Sequence, residues 1–161
     1  MGEPTPEFDP IQILATLERH RVTFIVIGAL ARVIHGSDEL TQGVDIVPST
    51  REENLRRLDE ALDELGVRSQ PHAGASASAV REYVTDRGEL KIVPLPAGTR
   101  GYDDLRRAAT REPLGSGVRP SVASVGDLIR MLGALGRETD LERIPIMRHV
   151  AEFERGRGLE L

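Results

Sequence analysis

The stretch Thr41-Gln42-Gly43-Val44-Asp45-Ile46 is the most informative part of this sequence. Side chains alternate between the two faces of a β-strand, so positions 43 and 45 share one face while Val44 and Ile46 point to the core. Aspartates at positions 43 and 45 would hold a divalent cation, because hard cations prefer carboxylate oxygens. The glycine offers no ligand. The stretch therefore predicts a metal-binding strand that lacks one carboxylate.

A second unusual strand is Glu89-Leu90-Lys91-Ile92-Val93. Lys91 is the only lysine of the chain, and the other 20 basic residues are arginines. Glu89 precedes Lys91 by one pleat and shares its face of the strand. If the two strands are neighbours, we expect the Lys91 ammonium to pair with Asp45 and to replace the charge of a metal. The alternative is that Lys91 projects into solvent.

Composition restricts the class of protein. The 161 residues are enough for one domain with a real core, and a content of 39% hydrophobic and 29% charged residues is ordinary for a globular protein. Aromatic residues make up only 3%, which argues against base-stacking surfaces. The net charge of −5 gives no indication of nucleic-acid or membrane binding.

The chain contains no cysteine, so disulfides, thiolate metal sites and cysteine nucleophiles are excluded. No apolar run approaches the roughly 18 residues that span a bilayer. The first residues are acidic and interrupted by proline, unlike a signal peptide. We therefore expect a cytoplasmic protein without a membrane partner.

Hydrophobic periodicity and capping residues predict a single α/β domain over residues 9–155, with flexible ends at 1–8 and 156–161. We expect a mixed β-sheet flanked by helices and a helical C-terminal third. The predicted strands are 22–27, 44–47, 81–84 and 89–95. The predicted helices are 9–20, 29–35, 51–65, 102–109, 124–135 and 138–153, and a small-residue loop is predicted over 70–79.

Several segments, in this order and at this spacing, resemble the nucleotidyltransferase superfamily. The similarity is closest to the compact bacterial group that includes toxin components of toxin–antitoxin systems, and it spans about residues 11 to 150. The segments are Phe24-Ile25-Val26-Ile27-Gly28-Ala29, His35-Gly36, Thr41, Asp45-Ile46-Val47-Pro48 with Glu53-Asn54-Leu55, Pro96 to Leu105, Val122 to Ile129, and Gly136-Arg137 with Asp140.

The resemblance implies a mechanism. A Gly-Gly or Gly-Ser pair lies next to an incoming nucleoside triphosphate, and three carboxylates on two strands hold Mg²⁺ for in-line transfer of a nucleotide. The resemblance assigns nucleotide binding to five positions that fit here, namely Gly28, Ala29, Thr41, Arg137 and Asp140. Of the three metal carboxylates that the resemblance implies, this chain retains only Asp45.

Four positions depart from the family pattern. Gly43 stands in place of the first metal aspartate, and Lys91 replaces the third carboxylate. Glu39 occupies a position where the family often has arginine, and Leu132 replaces a lysine near the nucleotide. One aspartate facing an ammonium is a poor magnesium site, because Mg²⁺ demands near-octahedral oxygen coordination.

These departures lead to two functional hypotheses and a third that is structural. The first is a non-catalytic module that binds a nucleotide or a protein partner and needs no metal or other cofactor. The alternative is an active Mg²⁺-dependent nucleotidyltransferase, related to toxin–antitoxin systems, in which Glu89 and the loop acids Asp38 and Glu39 assist Asp45. A solvated position is the commoner fate of such loop acids. The third is a homodimer subunit with a vestigial cleft.

The remaining charged residues give weaker patterns. The four histidines show no spacing typical of metal ligands. Arg130 and Arg137 are predicted to share a helix face, and Arg106-Arg107 to lie on the preceding helix. Contact with phosphate or RNA is one interpretation of these arginines, and a solvated charged face is the other.

Overall fold

The computed structural model describes residues 7–67 and 79–159, and side chains as far as residue 156. Within these ranges the helices are α1 (Pro10–Arg19), α2 (Gly28–His35), α3 (Glu52–Glu64), α4 (Tyr102–Leu105), α5 (Val125–Leu135) and α6 (Glu138–Leu159). The strands are β1 (Phe24–Ile27), β2 (Gly43–Pro48), β3 (Arg81–Thr85), β4 (Gly88–Ile92), β5 (Thr110–Arg111) and β6 (Ser121–Val122). Apart from Ala79, the loop predicted over 70–79 lies outside the described residues.

The strands form one mixed sheet in the order β3-β4-β2-β1-β6-β5. β2 is antiparallel to β1 and parallel to β4, so it lies between them. Asp45 is paired in register with Ile27 on one side and with Lys91 on the other. The prediction of an α/β fold with a mixed sheet is confirmed, and the strands that carry Asp45 and Lys91 are neighbours.

The core follows the alternation that the sequence predicts. Val44 and Ile46 are fully buried, whereas Gly43 and Asp45, which alternate with them along β2, are partly exposed on its other face. Helix α1 contacts β2 and α3, and helix α2 contacts β1, β2 and α5, which packs against α6. The helices therefore cover the sheet and leave part of one face open near Asp45. None of the helices in the described part of the chain combines the length and hydrophobicity needed to cross a bilayer.

Two helix starts agree with the predicted capping. The Asp9 side chain accepts a hydrogen bond from Gln12 N at 3.1 Å, with Pro10 as the first helical residue of α1. At α5 the Ser124 hydroxyl oxygen accepts one from Asp127 N, also at 3.1 Å. These local contacts satisfy backbone donors that the first turn of a helix leaves unpaired.

Other boundaries differ from the prediction. β2 ends at Pro48, one residue beyond its predicted end, and α3 starts at Glu52, one residue after its predicted start and without a side-chain cap. Helix α4 ends at Leu105 instead of continuing to residue 109, because the next three residues are exposed and provide no apolar face. β4 ends at Ile92, shortly before Pro94. Helix α6 continues to Leu159, beyond its predicted end at residue 153.

Asn54 ties α3 to the start of β1. Its side-chain oxygen accepts a hydrogen bond from Thr23 N at 2.7 Å, and its amide donates to Thr23 O at 2.9 Å and to Ser49 O at 2.8 Å. The residue is buried, so these three bonds satisfy polar groups that water cannot reach. The Glu53-Asn54-Leu55 segment thus has a structural role in this fold.

Candidate functional site

The exposed face of β2, β4 and β3 forms the floor of a cleft of about 470 Å³. Its charged side chains come from alternating positions on three neighbouring strands, which places them on one face of the sheet. The lining residues are Gly43, Asp45, Glu82, Tyr83, Val84, Glu89, Leu90 and Lys91. The two strands that the sequence singled out therefore meet in one site, and β3 adds Glu82, which the sequence did not indicate.

Asp45 lies against the first residue of helix α2. Gly28 has a φ of +70°, and a Cβ at this position would collide with Oδ2 of Asp45. Only glycine accepts both this backbone conformation and this close approach without strain. A carboxylate is favourable at the amino-terminal end of a helix. The carboxyl group of Asp45 therefore lies directly against the amino-terminal end of α2.

The electrostatic environment of Asp45 disfavours its ionised form. Burial raises the pKa of this carboxyl, and the negative charges of Glu82 and Glu89 act in the same direction. The charges of Lys91 and Arg32 lower the pKa, but they do not cancel the effect of burial. Burial is therefore the main influence on the pKa of Asp45.

Lys91 makes its ion pair with β3 and not with β2. Its ammonium lies 3.7 Å from Oε1 of Glu82, and no other carboxylate of the described residues is within 4.0 Å. The side chain is 43% exposed, which weakens this contact. The predicted direct pair between Lys91 and Asp45 is thus not formed. Lys91 acts on Asp45 through its charge at longer range.

Gly43 fits tightly against its neighbour on β4. A Cβ at position 43 would lie 3.2 Å from both the Cβ and the carbonyl oxygen of Glu89, its partner in register. Any larger residue requires β4 to move by a few tenths of an ångström, because interiors are closely packed. The close approach of Glu89 therefore favours glycine at position 43.

The residues present do not fit the magnesium ion that the resemblance implies. Across residues 7–67 and 79–159, no group of three or more histidine, aspartate or glutamate side chains is arranged to hold a metal ion. Asp45 shares the cleft with Glu82 and Glu89, but the Lys91 ammonium lies among them. A cation at this position competes with a metal for the same carboxylates.

Glu39 is the centre of a charged cluster next to the cleft. It accepts hydrogen bonds from Nε and Nη2 of Arg32, at 3.0 Å each, and one from the Ser37 hydroxyl at 2.8 Å. Nη1 of Arg143 on α6 lies 3.0 Å away. Burial alone would raise the pKa of Glu39, but the hydrogen bonds from Arg32 and Ser37 and the charges of Arg32 and Arg143 lower it below its usual value.

Glu39 is therefore not a solvated loop acid, and its pairing with arginines does not leave it free to assist Asp45. Its side chain is only 5% exposed and is committed to two arginines, whereas Asp38 is exposed. Arg32 was missed by the sequence reasoning. Its position one helical turn after Gly28 could have indicated it, since residues four apart lie on one helix face.

The other predicted nucleotide-binding residues do not line this cleft. Ala29 is the second residue of α2, and the Thr41 hydroxyl donates to Gly43 O at 2.9 Å, which shapes the entry to β2. Arg137 donates to Asp140 through Nε at 2.6 Å and Nη2 at 3.2 Å, and the bond to Arg137 lowers the pKa of Asp140. Leu132 is buried in the core, so a lysine is not accommodated there.

Helix α5 ends at Leu135 and is followed by Gly136 in a left-handed conformation. The prediction that Arg137 shares a helix face with Arg130 is therefore wrong. Glycine after the last turn stops the helix before Arg137 is reached.

Comparison with known proteins identifies the fold. No protein-family model matches the chain, and no curated protein matches it in sequence. Several solved structures are similar, and three of them are described here. The lincosamide antibiotic adenylyltransferase LnuA, bound to lincomycin, has a TM-score of 0.62 at 16% identity, over 86% of this chain and 94% of that one.

The second structure is TM1012 from Thermotoga maritima, which is assigned as a nucleotidyltransferase. It has a TM-score of 0.59 at 19% identity, over 86% of this chain and 89% of its own. The antibiotic-resistance factor ANT(2'')-Ia has a TM-score of 0.53 at 14% identity, over 92% of this chain and 91% of its own. At these identities the similarity concerns the fold, and the chemistry has to be argued from the site.

Proposed function

We propose that this chain, which has the nucleotidyltransferase fold, is a non-catalytic module whose cleft binds a protein partner without a metal ion. The observation that carries the proposal is the arrangement of β2 and β4. Lys91 stands in register with Asp45, and Gly43 lies so close to Glu89 that a side chain at position 43 would displace β4. Three carboxylates therefore do not converge on one point.

The charge of the cleft favours a partner over a nucleotide. In a metal-loaded nucleotidyltransferase the cations offset the charge of the triphosphate. Without them, the phosphates would meet the carboxylates of Asp45, Glu82 and Glu89, and Lys91 is the only cation among the described residues that line the same cleft. Like charges repel strongly where water is partly excluded. A protein partner is also what the resemblance to toxin components of toxin–antitoxin systems implies.

One observation favours the alternative of an active transferase. Glu89 is exposed and lies in the same cleft as Asp45, on β4 two residues before Lys91, the register partner of Asp45. Two carboxylates from neighbouring strands are a minimal ligand set for Mg²⁺, which keeps several waters when bound. This reading requires Lys91 to move away from the carboxylates.

Thermal unfolding with and without ligands tests the proposal. We expect the melting temperature to remain unchanged when millimolar Mg²⁺ or Mn²⁺ is added, alone or with each of the four nucleoside triphosphates. A ligand present at 100 times its dissociation constant stabilises a fold by about 2.7 kcal/mol. That is roughly 5–11 °C for a chain of this size. A metal-dependent rise of this order would overturn the proposal.

The double variant Gly43→Asp/Lys91→Asp provides the positive test. It restores the family pattern of three carboxylates, and we expect it to gain a metal-dependent rise with nucleotide that the wild type lacks. Gly43→Ala/Lys91→Met is the matched control, because it introduces the same crowding against Glu89 and removes the same ammonium without adding ligands. A metal-dependent rise in the control as well would show that the ligand set is not the cause.

The active-enzyme alternative has its own test. Transfer of label from an α-labelled nucleoside triphosphate to protein or RNA is measured for the wild type, Asp45→Asn and Glu89→Gln. Metal-dependent labelling by the wild type that both substitutions abolish would establish the transferase and refute the non-catalytic proposal.

A further inference from the structure

A second surface with a different charge lies at the opposite end of the sheet from Asp45. β2 runs from Gly43 at the cleft to Pro48, and Ser49 N then donates to Thr23 O at 3.0 Å, just before β1. At about 3.3 Å per residue, Ser49 lies about 20 Å from Gly43. Four clefts of about 540, 310, 300 and 400 Å³ occupy this end of the molecule.

These four clefts share lining residues and therefore form one continuous surface, which we call the arginine surface. Arg100 and Arg107 each belong to two of the clefts, and Tyr102 and Asp103 each belong to three. The cations that line it are Arg51, Arg57, Arg100, Arg106, Arg107 and Arg130. The carboxylates that line it are Glu53, Asp103 and Asp104. The arginine surface is thus positive although the whole chain has a net charge of −5.

Half of these arginines are held by neighbouring carboxylates. Arg57 lies 2.6 Å from Glu53, and Arg106 lies 3.7 Å from Asp103. Arg130 lies 3.1 Å from Asp104 and equally close to Asp127. The charges of these three arginines are therefore largely neutralised by carboxylates of the same chain.

The other half make no ion pair. Arg51, Arg100 and Arg107 are exposed, and no carboxylate of the described residues lies within 4.0 Å of their guanidinium groups. Arg100 lines one cleft together with Arg51 and another together with Arg107. The three unpaired cations therefore follow one another along the surface.

The loop that carries Arg100 is held in a fixed conformation. Asp104 accepts a hydrogen bond from Arg100 N at 2.9 Å, and this bond together with the charge of Arg130 lowers the pKa of Asp104. The Thr99 hydroxyl donates to Pro96 O at 2.9 Å and accepts from Gly101 N at 3.1 Å. A preorganised loop loses less conformational entropy on binding than a flexible loop.

We propose that the arginine surface binds the phosphate backbone of a nucleic acid through Arg51, Arg100 and Arg107. Guanidinium groups match phosphate oxygens with paired hydrogen bonds, and an open row of clefts fits a polymer better than a small molecule. The surface has one partly buried aromatic residue, Tyr102, so recognition concerns the backbone and not stacked bases.

An acidic protein partner is less compatible with the same surface. Protein interfaces are anchored by buried apolar or aromatic side chains at their centre. Of the large hydrophobic side chains exposed on the described part of the chain, only Leu95 lines these clefts. The surface thus offers charge without the apolar centre that a protein interface uses.

Fluorescence anisotropy with labelled RNA and DNA, single-stranded and duplex, tests the proposal. The variant Arg51→Gln/Arg100→Gln/Arg107→Gln is compared with Arg87→Gln/Arg148→Gln/Arg155→Gln. The control removes the same number of exposed arginines that make no ion pair among the described residues, but from the β3–β4 turn and α6. Melting temperatures of both variants verify that they remain folded.

We expect wild-type affinity to fall with salt. For three phosphate contacts the slope of log K against log salt is about −2.7 on duplex DNA and about −2 on single strands. The Arg51/Arg100/Arg107 variant should bind at least about tenfold more weakly at low salt, and its affinity should depend much less on salt. The affinity of the control variant should stay within about twofold of the wild type. Single-stranded and duplex probes identify which form of the backbone is preferred.

Three results would overturn the proposal. One is the absence of wild-type binding to any probe at low salt. Another is an equal loss in both triple variants, which would indicate a general charge effect. The third is competition by poly-glutamate as effective as by unlabelled RNA, which would assign the surface to an acidic polypeptide.

Discussion

Replacing Glu39 by glutamine is expected to destabilise the fold strongly. The side chain is 5% exposed, and the substitution leaves Arg32, itself 13% exposed, without its counter-charge. Removing one partner of a buried ion pair costs about 3–5 kcal/mol. Glutamine keeps one acceptor oxygen, and Arg143 is 37% exposed and can be solvated, so we expect a loss of about 2–3 kcal/mol.

Urea unfolding measures this loss directly. With a slope of about 2 kcal/mol/M, the midpoint should fall by about 1–1.5 M. Glu53→Gln is the matched control, because Glu53 also pairs with an arginine, at 2.6 Å from Arg57, but the carboxylate is 71% exposed. An exposed pair of this kind contributes about 0.3–0.5 kcal/mol. A loss in Glu39→Gln no larger than in Glu53→Gln would refute the reasoning from burial.

The pH dependence gives the same prediction a second readout. The pKa of Glu39 is lowered in the folded protein from an ordinary value of 4.5. The unfolded state therefore binds this proton more strongly, so the stabilisation is complete above pH 4.5 and is lost as the pH falls through the lowered pKa. The difference between wild type and Glu39→Gln should be constant near neutral pH and shrink in acid.

Two further predictions concern Asp45 and Gly28. Asp45→Asn should raise the melting temperature at neutral pH, because burial raises the pKa of Asp45 and its ionised form destabilises the fold. The gain should vanish as the pH falls toward 3.8, and thermal scans that show no gain at neutral pH would contradict it. Gly28→Ala should cost about 1–3 kcal/mol in urea unfolding. It should cost more than Gly117→Ala, which has a similar φ of +78° but no atom within 4 Å of the added Cβ. Equal losses of unfolding free energy in the two variants would contradict a close contact between Asp45 and Gly28.

The two ends of the sheet suggest a division of roles. The cleft at Asp45 is lined by carboxylates with one lysine, whereas the arginine surface lies at the far ends of β2 and β4. A charge distribution of this kind orients a molecule toward oppositely charged partners. The proposed partner at the cleft and the proposed nucleic acid at the arginine surface therefore do not compete for the same residues.

The fold was largely predictable from the sequence because its main signals are local. The alternation around Asp45 placed Val44 and Ile46 in the core, and the caps at Asp9 and Ser124 fixed two helix starts. The shorter α4 was not predictable in this way. Helical periodicity continues past Leu105, and only the lack of a packing surface ends the helix there.

The sequence indicated which strands carry the site, but it did not indicate which side chains contact one another there. The resemblance and the strand period indicated that Asp45 and Lys91 share one cleft, which the register confirms. The pairing of Lys91 with Glu82 depends on β3, a hairpin strand whose side chains carry no distinguishing motif. The role of Glu39 depends on Arg143, which lies on the last helix.

By itself, the sequence determined which residues alternate along the strands and where helices begin. These properties follow from backbone geometry and residue identity, which act between neighbours in the chain. The tertiary structure decided which charges meet, since electrostatic energy depends on distance in space and on burial. It placed Asp45 against Gly28, buried Glu39 between two arginines, and gathered unpaired arginines from separate segments on one surface.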